Sequence, residues 1–410
     1  MRLIVKTSGM LATVQDLGRH GFMDQGFGPA GAMDSWSLRA ANVLVGNGEN
    51  ASALEFCLMG PSFCVEETNP GEKLVVAFAG AGFQPTINGE PAPLGVALSL
   101  HTDDIVAAGN ARAGKYGYLA VRGGIDVPCA FGSAATSLKY HLGGFSGRAL
   151  AKDDVLTSGN YDQKDIPDLV LPEWLRINNV LGAPADAFLG EGGTSCTEEG
   201  GEGVAACNTG AATDATVTRD NNAEASSDGA VTIHAIPNPQ ERLFTAKGIE
   251  TFYGTPYAVT PESDRMGLRL GGAPVESING SDIISDGIPL GAVQIPASGL
   301  PIVMMADRQT TGGYAKIATI ATADIARLAQ CGADQAILFM RTSVQQAQEL
   351  LRAKEHAFAT WANSTASPQQ LLDHLQWQCA QRGLAHLSYR GPVHSASVER
   401  YAITSPGHAK

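Results

Sequence analysis

The chain has 410 residues, of which 41 are acidic and 28 basic, so its formal net charge is −13. An acidic chain lacks the positive surface that nucleic acids and anionic membranes attract, and we therefore expect neither as a partner. Glycine accounts for 48 residues, but these lack the three-residue period of collagen. At this length about two to three domains are expected.

The beginning of the chain and its cysteines bear on location and metal binding. Residues 1–7 hold three apolar residues before Lys6, whereas a secretory signal needs roughly seven to fifteen. No run approaches the roughly 18 apolar residues of a membrane span. The seven cysteines include no CxxC pair, which argues against a disulfide framework or a zinc ribbon. No His, Asp and Glu spacing indicates a metal, so we expect a cytoplasmic protein without one.

A helix is predicted near the N-terminus, over 35–45. Asp34 can cap its first turn, and Gly46 can end it. Leu38, Ala41 and Val45 between them share one helical face, which we expect to turn inward.

Most of the remaining signals predict strands, because short apolar runs alternate with Gly and Pro. The predicted strands are 73–79, 104–108, 116–121, 231–236, 291–295, 301–306 and 336–340. Several are continuously apolar, which is typical of strands covered on both faces or closed into barrels. A second helix is predicted over 323–330. Regular βαβ alternation is missing, so the sequence predicts a mainly β fold with few helices.

The segment 190–230 differs from the rest in composition. It has no aromatic residue, Leu or Ile, and its eight acids and single base contribute −7 of the net charge of −13. Such a stretch buries too little apolar surface to offset the entropy of ordering it. We expect a disordered acidic insertion, with an ordered acidic binding loop as the alternative.

The C-terminal part changes character again. An apolar stripe at helical spacing predicts one helix, and Ser367 before Pro368 is typical of the start of a second, which Gly383 can end. The stripe consists of Val344, Ala347, Leu351, Phe358 and Trp361. The predicted organisation is an N-terminal β subdomain over 1–170, a C-terminal β subdomain over 171–345 with the insertion inside it, and a helical tail over 346–410 that packs on the barrel or on a partner.

The strongest candidate site lies between two apolar runs, at 305–316. Polar and charged side chains there surround Gly312 and Gly313, whose backbone amides can approach an anion closely. These side chains are Asp307, Arg308, Gln309, Thr310 and Lys316. The alternative is a charged hairpin with a Gly-Gly turn.

Three further glycine-rich loops carry polar residues. The candidates in them are Gln15, Asp16 and Arg19, then Arg122 with Arg148, then Ser263, Asp264 and Arg265. Asp16 and Arg19 could instead form a structural ion pair. Arg265 suits bidentate recognition of a carboxylate or phosphate, or pairing with the neighbours of Asp264. No P-loop, HExxH motif or biotin-accepting lysine between methionines occurs, so we expect no covalently attached biotin.

Ordered motifs over roughly 1–345 carry a family resemblance. They include TVQDLGR at 13–19, GAMD at 31–34, NVLVGN at 42–47, VRGGID at 121–126, SDRMG at 263–267, GAVQ at 291–294 and DRQTTGGY at 307–314. Together they resemble the biotin-dependent carboxyltransferase family, and within it the branch of the 5-oxoprolinase C-type chain (KipA) and the allophanate hydrolase subunit 2 domain. One departure is GSAAT at 132–136, where the family usually has GSRST, which removes an arginine and a hydroxyl.

The resemblance implies two cyclophilin-like β-barrel subdomains and a place in a larger assembly. With 5-oxoprolinase subunits A and B, the latter KipI-like, such a chain would open 5-oxoproline to L-glutamate at the expense of ATP. One alternative is a carboxyltransferase subunit that moves a carboxyl group from carboxybiotin to urea or another amide. Another is a non-enzymatic regulatory subunit that binds a kinase-inhibitor-like partner.

The implied chemistry gives the candidate residues hypothetical roles. Arg265, Arg308 and Lys316 would neutralise developing negative charge, with the Gly312 and Gly313 amides as further donors. Asp307 or Asp264 would act as a base or orient an arginine, and we favour orientation. The residues expected to orient the amide substrate are Gln294, Gln309, Thr310 and Tyr314.

Overall fold

A computed structural model gives the structure. It describes residues 1–68, 73–160, 166, 169–176, 229–384, 386–391 and 401–404. The predicted acidic insertion, 190–230, lies outside the described residues except for its last two positions.

The N-terminal part forms two antiparallel sheets and one helix. Its strands are β1 (Arg2–Thr7), β2 (Ala12–Gln15), β3 (Ala53–Cys57), β4 (Ser62–Glu66), β5 (Leu74–Gly80), β6 (Thr86–Ile87), β7 (Glu90–Pro91), β8 (Ala97–Leu100), β9 (Ile105–Ala107), β10 (Tyr116–Val121) and β11 (Val155–Thr157). One sheet has the order β11-β1-β4-β9-β6-β7, and the other has the order β2-β3-β10-β5-β8. All five strands of the second sheet are buried along their length, because helix α1 covers one face and the first sheet the other.

Helix α1 (Ser35–Leu44) is confirmed, together with its cap. The Asp34 carboxylate accepts hydrogen bonds from the Ser37 amide at 3.0 Å and from the Ser37 hydroxyl at 2.7 Å, which satisfies a backbone donor that the first turn leaves unpaired. The inward face of the helix contacts β5 and β10. Its position therefore follows from local sequence signals and from an apolar stripe.

The C-terminal β part contains a closed barrel of seven strands. Its elements are β12 (Val231–Pro237), α2 (Ala246–Gly254), β13 (Tyr257–Val259), β14 (Gly267–Gly271), β15 (Asp282–Gly287), β16 (Ala292–Gln294), β17 (Ile302–Met304), β18 (Thr311–Tyr314), β19 (Lys316–Ile320), α3 (Thr322–Ala329) and β20 (Ala336–Arg341). The barrel order is β12-β19-β16-β17-β14-β13-β20, and β15 pairs with β18 as a separate two-stranded sheet. The mainly β prediction with few helices is confirmed.

Two irregular pairings shape the region of the candidate site. Strand β16 pairs with β19 so that Gln294 lies opposite Lys316, with a register shift just before that pair. Strand β18 pairs with β15 and places Gly312 opposite Asp286. A register shift re-aims the side chains beside it, and here it brings residues of four strands to one edge of the barrel.

The tail contains two capped helices and two strands. Helix α4 (Val344–Ala362) begins with a capping box of Ser343 and Gln346, and α5 (Pro368–Arg382) begins with one of Ser367 and Gln370. Gly383 ends α5 in the left-handed conformation, with φ of 60°. Both helices are confirmed, but strands β21 (His386–Tyr389) and β22 (Tyr401–Thr404) pair after them. The tail is therefore not helical throughout, as we had expected.

Two hydrophobic clusters hold these parts together. The first joins the inward face of α1, the barrel interior and the side chains of Phe358 and Trp361 in α4. The second lies between the two N-terminal sheets and includes Leu375 and Cys379 of α5. The tail thus packs on both β parts, and the subdomain boundaries at 170 and 345 stay predictions. Within the described ranges, no helix combines the length and the apolar character needed to cross a membrane.

Candidate functional site

A buried ion-pair network joins the N-terminal part to the barrel, and its members are Glu55, Arg265 and Asp307. Nε and Nη2 of Arg265 donate to the two carboxylate oxygens of Asp307 at 2.9 and 3.0 Å. Nη1 donates to Glu55, and Nη2 also donates to the Gly31 carbonyl at 2.7 Å. Four hydrogen bonds therefore fix the guanidinium between three chain segments that are far apart in sequence.

Electrostatics keep Arg265 charged in this buried position. Burial alone would lower its pKa, but the carboxylates of Asp307 and Glu55 raise the pKa well above the ordinary value. Burial raises the pKa of Glu55, against the opposing effect of Arg265. The Glu55 carboxylate also accepts hydrogen bonds from the Tyr118 hydroxyl at 2.6 Å and the Met33 amide at 2.7 Å. The carboxylate is thus satisfied by three donors.

The neighbouring residues Ser263 and Asp264 hold a turn. The Asp264 carboxylate accepts from the amides of Met266 and Gly267 at 2.8 and 3.1 Å, and the Ser263 hydroxyl accepts from the Arg269 amide at 3.0 Å. The partners of Arg265 are consequently Glu55 and Asp307 and not the neighbours of Asp264. This geometry fits the hypothesis that Asp307 orients an arginine, and the charge-neutralising role of Arg265 stays a prediction.

Arg308 is buried beside this network without a carboxylate of its own. Its Nε donates to the Ile288 carbonyl at 2.9 Å and its Nη1 to the Met305 carbonyl at 3.3 Å. Nη2 lies 4.0 Å from the Met23 thioether, which is a weak acceptor. Within the described ranges no ion pair involves Arg308, and burial lowers the pKa of its guanidinium to about 10. An uncompensated buried cation attracts an anion strongly.

Two glutamines meet beside Arg308 at Gly312. A Cβ on Gly312 would lie 2.6 Å from the Ile288 Cδ1, 3.0 Å from the Gln294 Nε2 and 3.2 Å from the Gln309 Nε2. The absence of a side chain at Gly312 therefore lets both amides approach this strand. The Nε2 of Gln294 is buried and, in the described part of the chain, has no hydrogen-bond partner. It is a donor that a ligand carbonyl could satisfy.

Lys316 supplies a second buried cation next to Gln294. Its Nζ lies 3.2 Å from the Asp286 carboxylate, which is more than half exposed. The Lys316 ammonium and the Gly287 amide hold the pKa of Asp286 below its ordinary value. The backbone amide of Lys316 donates to the Gln240 side chain at 2.9 Å. We call the group of Gln294, Arg308, Gln309, Gly312 and Lys316 the basic site.

The remaining residues of the 305–316 segment are less enclosed. Gly312 and Gly313 both lie within β18, so the alternative of a Gly-Gly hairpin turn is wrong. Tyr314 is 41% exposed, and the Thr310 carbonyl accepts from the Ile288 amide at 3.0 Å. Their roles in orienting a substrate stay predictions.

Gln15, Asp16 and Arg19 form a second polar cluster, around the loop at 133–136. Asp16 accepts from the Ser133 hydroxyl and the Ala134 amide, both at 2.7 Å. Arg19 donates to the carbonyls of Ala130 and Ala135. The suggested Asp16–Arg19 ion pair is therefore not the arrangement found, since each side chain binds the neighbouring loop instead.

Gln15 and Arg19 each retain one unpaired buried atom. In the described part of the chain, Gln15 Oε1 and Arg19 Nη1 lack hydrogen-bond partners. Gln15 Nε2 donates to Thr13 and to the Thr136 carbonyl at 3.0 and 3.2 Å. Burial lowers the pKa of Arg19, while Asp16 and Asp307 act in the opposite direction. Arg19 thus senses the charge of the ion-pair network.

Two predicted binding residues lie elsewhere. Arg148 forms an exposed bidentate pair with Asp154, at 2.7 and 2.8 Å. Arg122 follows β10, where its amide donates to the Val75 carbonyl at 2.9 Å. No contact described here joins either residue to the basic site, so the structure does not bring them together with Arg308 and Lys316.

Sequence reasoning missed several residues that organise the region. Glu55 interrupts the apolar strand β3, and a charge inside a buried run was the available signal. Gln330 follows α3 and accepts from the amides of Lys115 and Tyr116 at 2.9 and 3.0 Å, while its Nε2 donates to Asp34 at 2.8 Å. Gln240 and Asp286 carried no distinguishing pattern.

The described ranges contain no group of three or more His, Cys, Asp or Glu side chains placed to hold a metal ion. The basic site offers cations and amide donors, which suit a carboxylate, a phosphate or a polarised carbonyl. An amide-bearing anion is therefore the class of ligand that these side chains complement.

Comparisons with known proteins agree with this geometry. The family described as "Carboxyltransferase domain, subdomain A and B" matches residues 25–341. The C-type chain of the 5-oxoprolinase of Escherichia coli (strain K12) is 32% identical over 351 residues, which cover 86% of this chain and 94% of the relative.

Two solved structures also match. The crystal structure of the Kluyveromyces lactis urea carboxylase has a TM-score of 0.68 at 25% identity, over 90% of this chain and 30% of that chain. Another crystal structure has a TM-score of 0.62 at 28% identity, and the match spans 83% of this chain but little more than half, 55%, of the other. From the family match over residues 25–341 and the 32% identity to a relative of nearly the same extent, the chain belongs to the carboxyltransferase domain family.

Proposed function

We propose that this chain is the C-type component of an ATP-dependent 5-oxoprolinase assembly, with subunits A and B as partners. Its basic site would bind 5-oxoproline, a cyclic amide that carries a carboxylate. The observation that carries the proposal is Arg308, a buried cation that the described chain leaves without a carboxylate. The similarity to the C-type chain of 5-oxoprolinase supports the choice of substrate.

The proposed roles follow from the donors that remain available. Arg308 and Lys316 provide two positive charges for the carboxylate or for the oxygen that becomes negative when the ring amide is attacked. Gln294 Nε2 has no partner among the described residues, so it can donate to the lactam carbonyl. Asp307 orients Arg265 and thereby fixes the start of the loop that carries Arg308. These side chains polarise and hold the amide.

We assign ATP use to the assembled complex in the cytoplasm and to no residue of this chain. The sequence has no P-loop, and the basic site has two cations and no group placed to hold a metal within the described ranges. ATP supplies the free energy for ring opening when the complex is assembled. The contribution of this chain is then recognition and polarisation of the amide substrate.

The test is co-expression with candidate A and B subunits, followed by measurement of L-glutamate released from 5-oxoproline in the presence and absence of ATP. Arg308→Ala and Lys316→Ala are each expected to reduce turnover by about 100-fold or more, the typical effect of losing one preorganised donor. Arg148→Ala is the control, because it removes a cation that lies in an exposed pair. Unchanged turnover in both site variants would refute the assignment.

A carboxyltransferase subunit is the second candidate function. The match to the Kluyveromyces lactis urea carboxylase extends over 90% of this chain, and urea is also an amide. The discriminating measurement supplies the purified assembly with a carboxylated biotin carrier from another chain and follows carboxyl transfer to urea. Transfer without glutamate release would establish this alternative.

The regulatory alternative requires no turnover. An assembly that is inactive in both assays, and in which this chain nevertheless binds the B-type partner tightly, would support a regulatory subunit. Binding can be measured by titration calorimetry with the same Arg308 and Lys316 variants. If both variants bind like the unmodified chain, the basic site has no part in that interaction.

A further inference from the structure

A separate cavity lies between the N-terminal sheets and α5. It has a volume of about 470 Å³, and its lining includes Phe83, Arg112, Arg176, His374, Trp377 and Arg382. Helix α5 lies beyond residue 341, where the family match ends. One wall of the cavity is therefore supplied by the tail, outside the region that the family describes.

The cavity is lined by positive charge. Arg382 donates to the carbonyls of Ala92 and Pro85 at 2.7 and 3.4 Å, and neither acceptor neutralises it. Arg176 lies 3.4 Å from Glu173, whose side chain is 79% exposed. The Nε atoms of Arg176 and Arg382 are buried without hydrogen-bond partners in the described part of the chain. Burial lowers the pKa of both guanidinium groups, as expected where counter-charge is weak.

Aromatic and neutral polar groups complete the lining. The Trp377 ring stacks on His374, with centroids 6.0 Å apart, and the Arg176 guanidinium lies 4.4 Å from the Trp377 ring centre. His374 is 2% exposed, and its Nε2 lies 2.8 Å from the Leu94 carbonyl. Its Nδ1 is buried and, within the described ranges, unpaired. A buried polar atom without a partner in a lined cavity indicates a missing ligand group.

We propose that this cavity is a second binding site, for a small organic anion with a flat unsaturated body and one carboxylate or phosphate group. The volume lies within the roughly 300–1,000 Å³ of small-molecule sites. The arginines bind the anionic group, the Trp377 and Phe83 rings contact the flat body, and His374 Nδ1 forms a hydrogen bond with a polar edge. The site does not depend on the chemistry proposed for Arg308 and Lys316.

The test uses three probes of one shape: 1-naphthoate, 1-naphthyl phosphate and the uncharged 1-naphthamide. Binding to the full chain is measured by titration calorimetry, and a crystal soaked with the tighter probe locates it. At least one anion is expected to bind with a Kd below about 1 mM, and the amide about tenfold or more weakly, because it lacks charge-assisted hydrogen bonds. The better of the two anions distinguishes a carboxylate from a phosphate ligand.

Variants identify the residues involved. Arg176→Gln and Arg382→Gln are each expected to weaken anion binding by about tenfold, while Arg148→Gln, on the surface elsewhere, leaves it unchanged. Thermal melts by circular dichroism establish that each variant is folded. Trp377→Phe provides a second readout, since it should retain binding but lose the quenching of tryptophan fluorescence by the probe.

Three results would overturn the proposal. These are failure of both anions to bind at about 1 mM, binding of the amide as tight as that of the anions, or equal affinity of the folded Arg176 and Arg382 variants and the unmodified chain. None of them bears on glutamate release by the assembly, so the two proposals fail separately.

Discussion

Replacing Arg265 by methionine isolates the contribution of the buried ion-pair network. Methionine keeps much of the apolar volume of the side chain but removes the two hydrogen bonds to Asp307 and those to Glu55 and the Gly31 carbonyl. Glu55, which is 2% exposed, then keeps only the Tyr118 hydroxyl and the Met33 amide as donors. The variant leaves a carboxylate in the core without its cation.

The size of the effect follows from burial. Removing one partner of a buried ion pair costs about 3–5 kcal/mol, and we expect Arg265→Met to lower the free energy of unfolding by that amount. The matched control is Arg148→Met, which breaks the exposed pair with Asp154. Exposed pairs contribute about 0–1 kcal/mol, so the control should change the free energy of unfolding by no more than about 1 kcal/mol.

The assay is urea unfolding followed by tryptophan fluorescence and far-ultraviolet circular dichroism. Adding Glu55→Gln to Arg265→Met removes the stranded charge and should restore about 1–3 kcal/mol, the cost of an unsatisfied buried group. Equal costs for Arg265→Met and Arg148→Met would refute the reasoning. So would a double variant that is no more stable than Arg265→Met alone.

Two further predictions concern the basic site and the tail. Gly312→Ala places a Cβ 3.0 Å from Gln294 Nε2 and should lower turnover of the assembly about tenfold through misplacement of the amide, whereas Gly313→Ala, whose closest contact would be 3.4 Å, should be neutral; equal activities would contradict this. Burial lowers the pKa of His374 from 6.5 to about 4, so the unfolded chain binds the proton first as the pH falls. The stabilisation by neutral His374 is therefore complete above about pH 6.5 and lost toward about pH 4. In urea titrations across this range, His374→Gln should flatten the dependence of the free energy of unfolding on pH by up to about 1.4 kcal/mol per unit, and the exposed control His356→Gln should not.

Elements with local signals could be predicted from the sequence. The cap at Asp34, the box that begins at Ser367 and the end at Gly383 act through neighbours within a few residues, and each was confirmed. The strand at Tyr116–Val121 has the predicted bounds, because a continuous apolar run between glycines defines both its type and its ends. Helix α2 was missed, since two glycines and a β-branched residue weaken its helical pattern.

The partners in the site could not be predicted in the same way. Arg265 was identified as a candidate, but Glu55 lies 210 positions away in sequence, and no local rule selects it. Arg308 and Lys316 were proposed together, whereas the reason that they share a site is the pairing of β16 with β19 and of β15 with β18. Gln240 contacts Lys316 only because of that register.

The contact between α1 and α4 has a consequence for biosynthesis. Trp36 is buried against Trp174 and Phe358, with ring centroids 6.0 and 5.6 Å away, and Phe358 is made about 320 residues later. At roughly 5–20 residues per second, the indole waits about 16 seconds to one minute for that partner on the ribosome. During this interval the first sheets and their helix present an apolar face, so a holding chaperone would be needed at the beginning of the chain and not at its end.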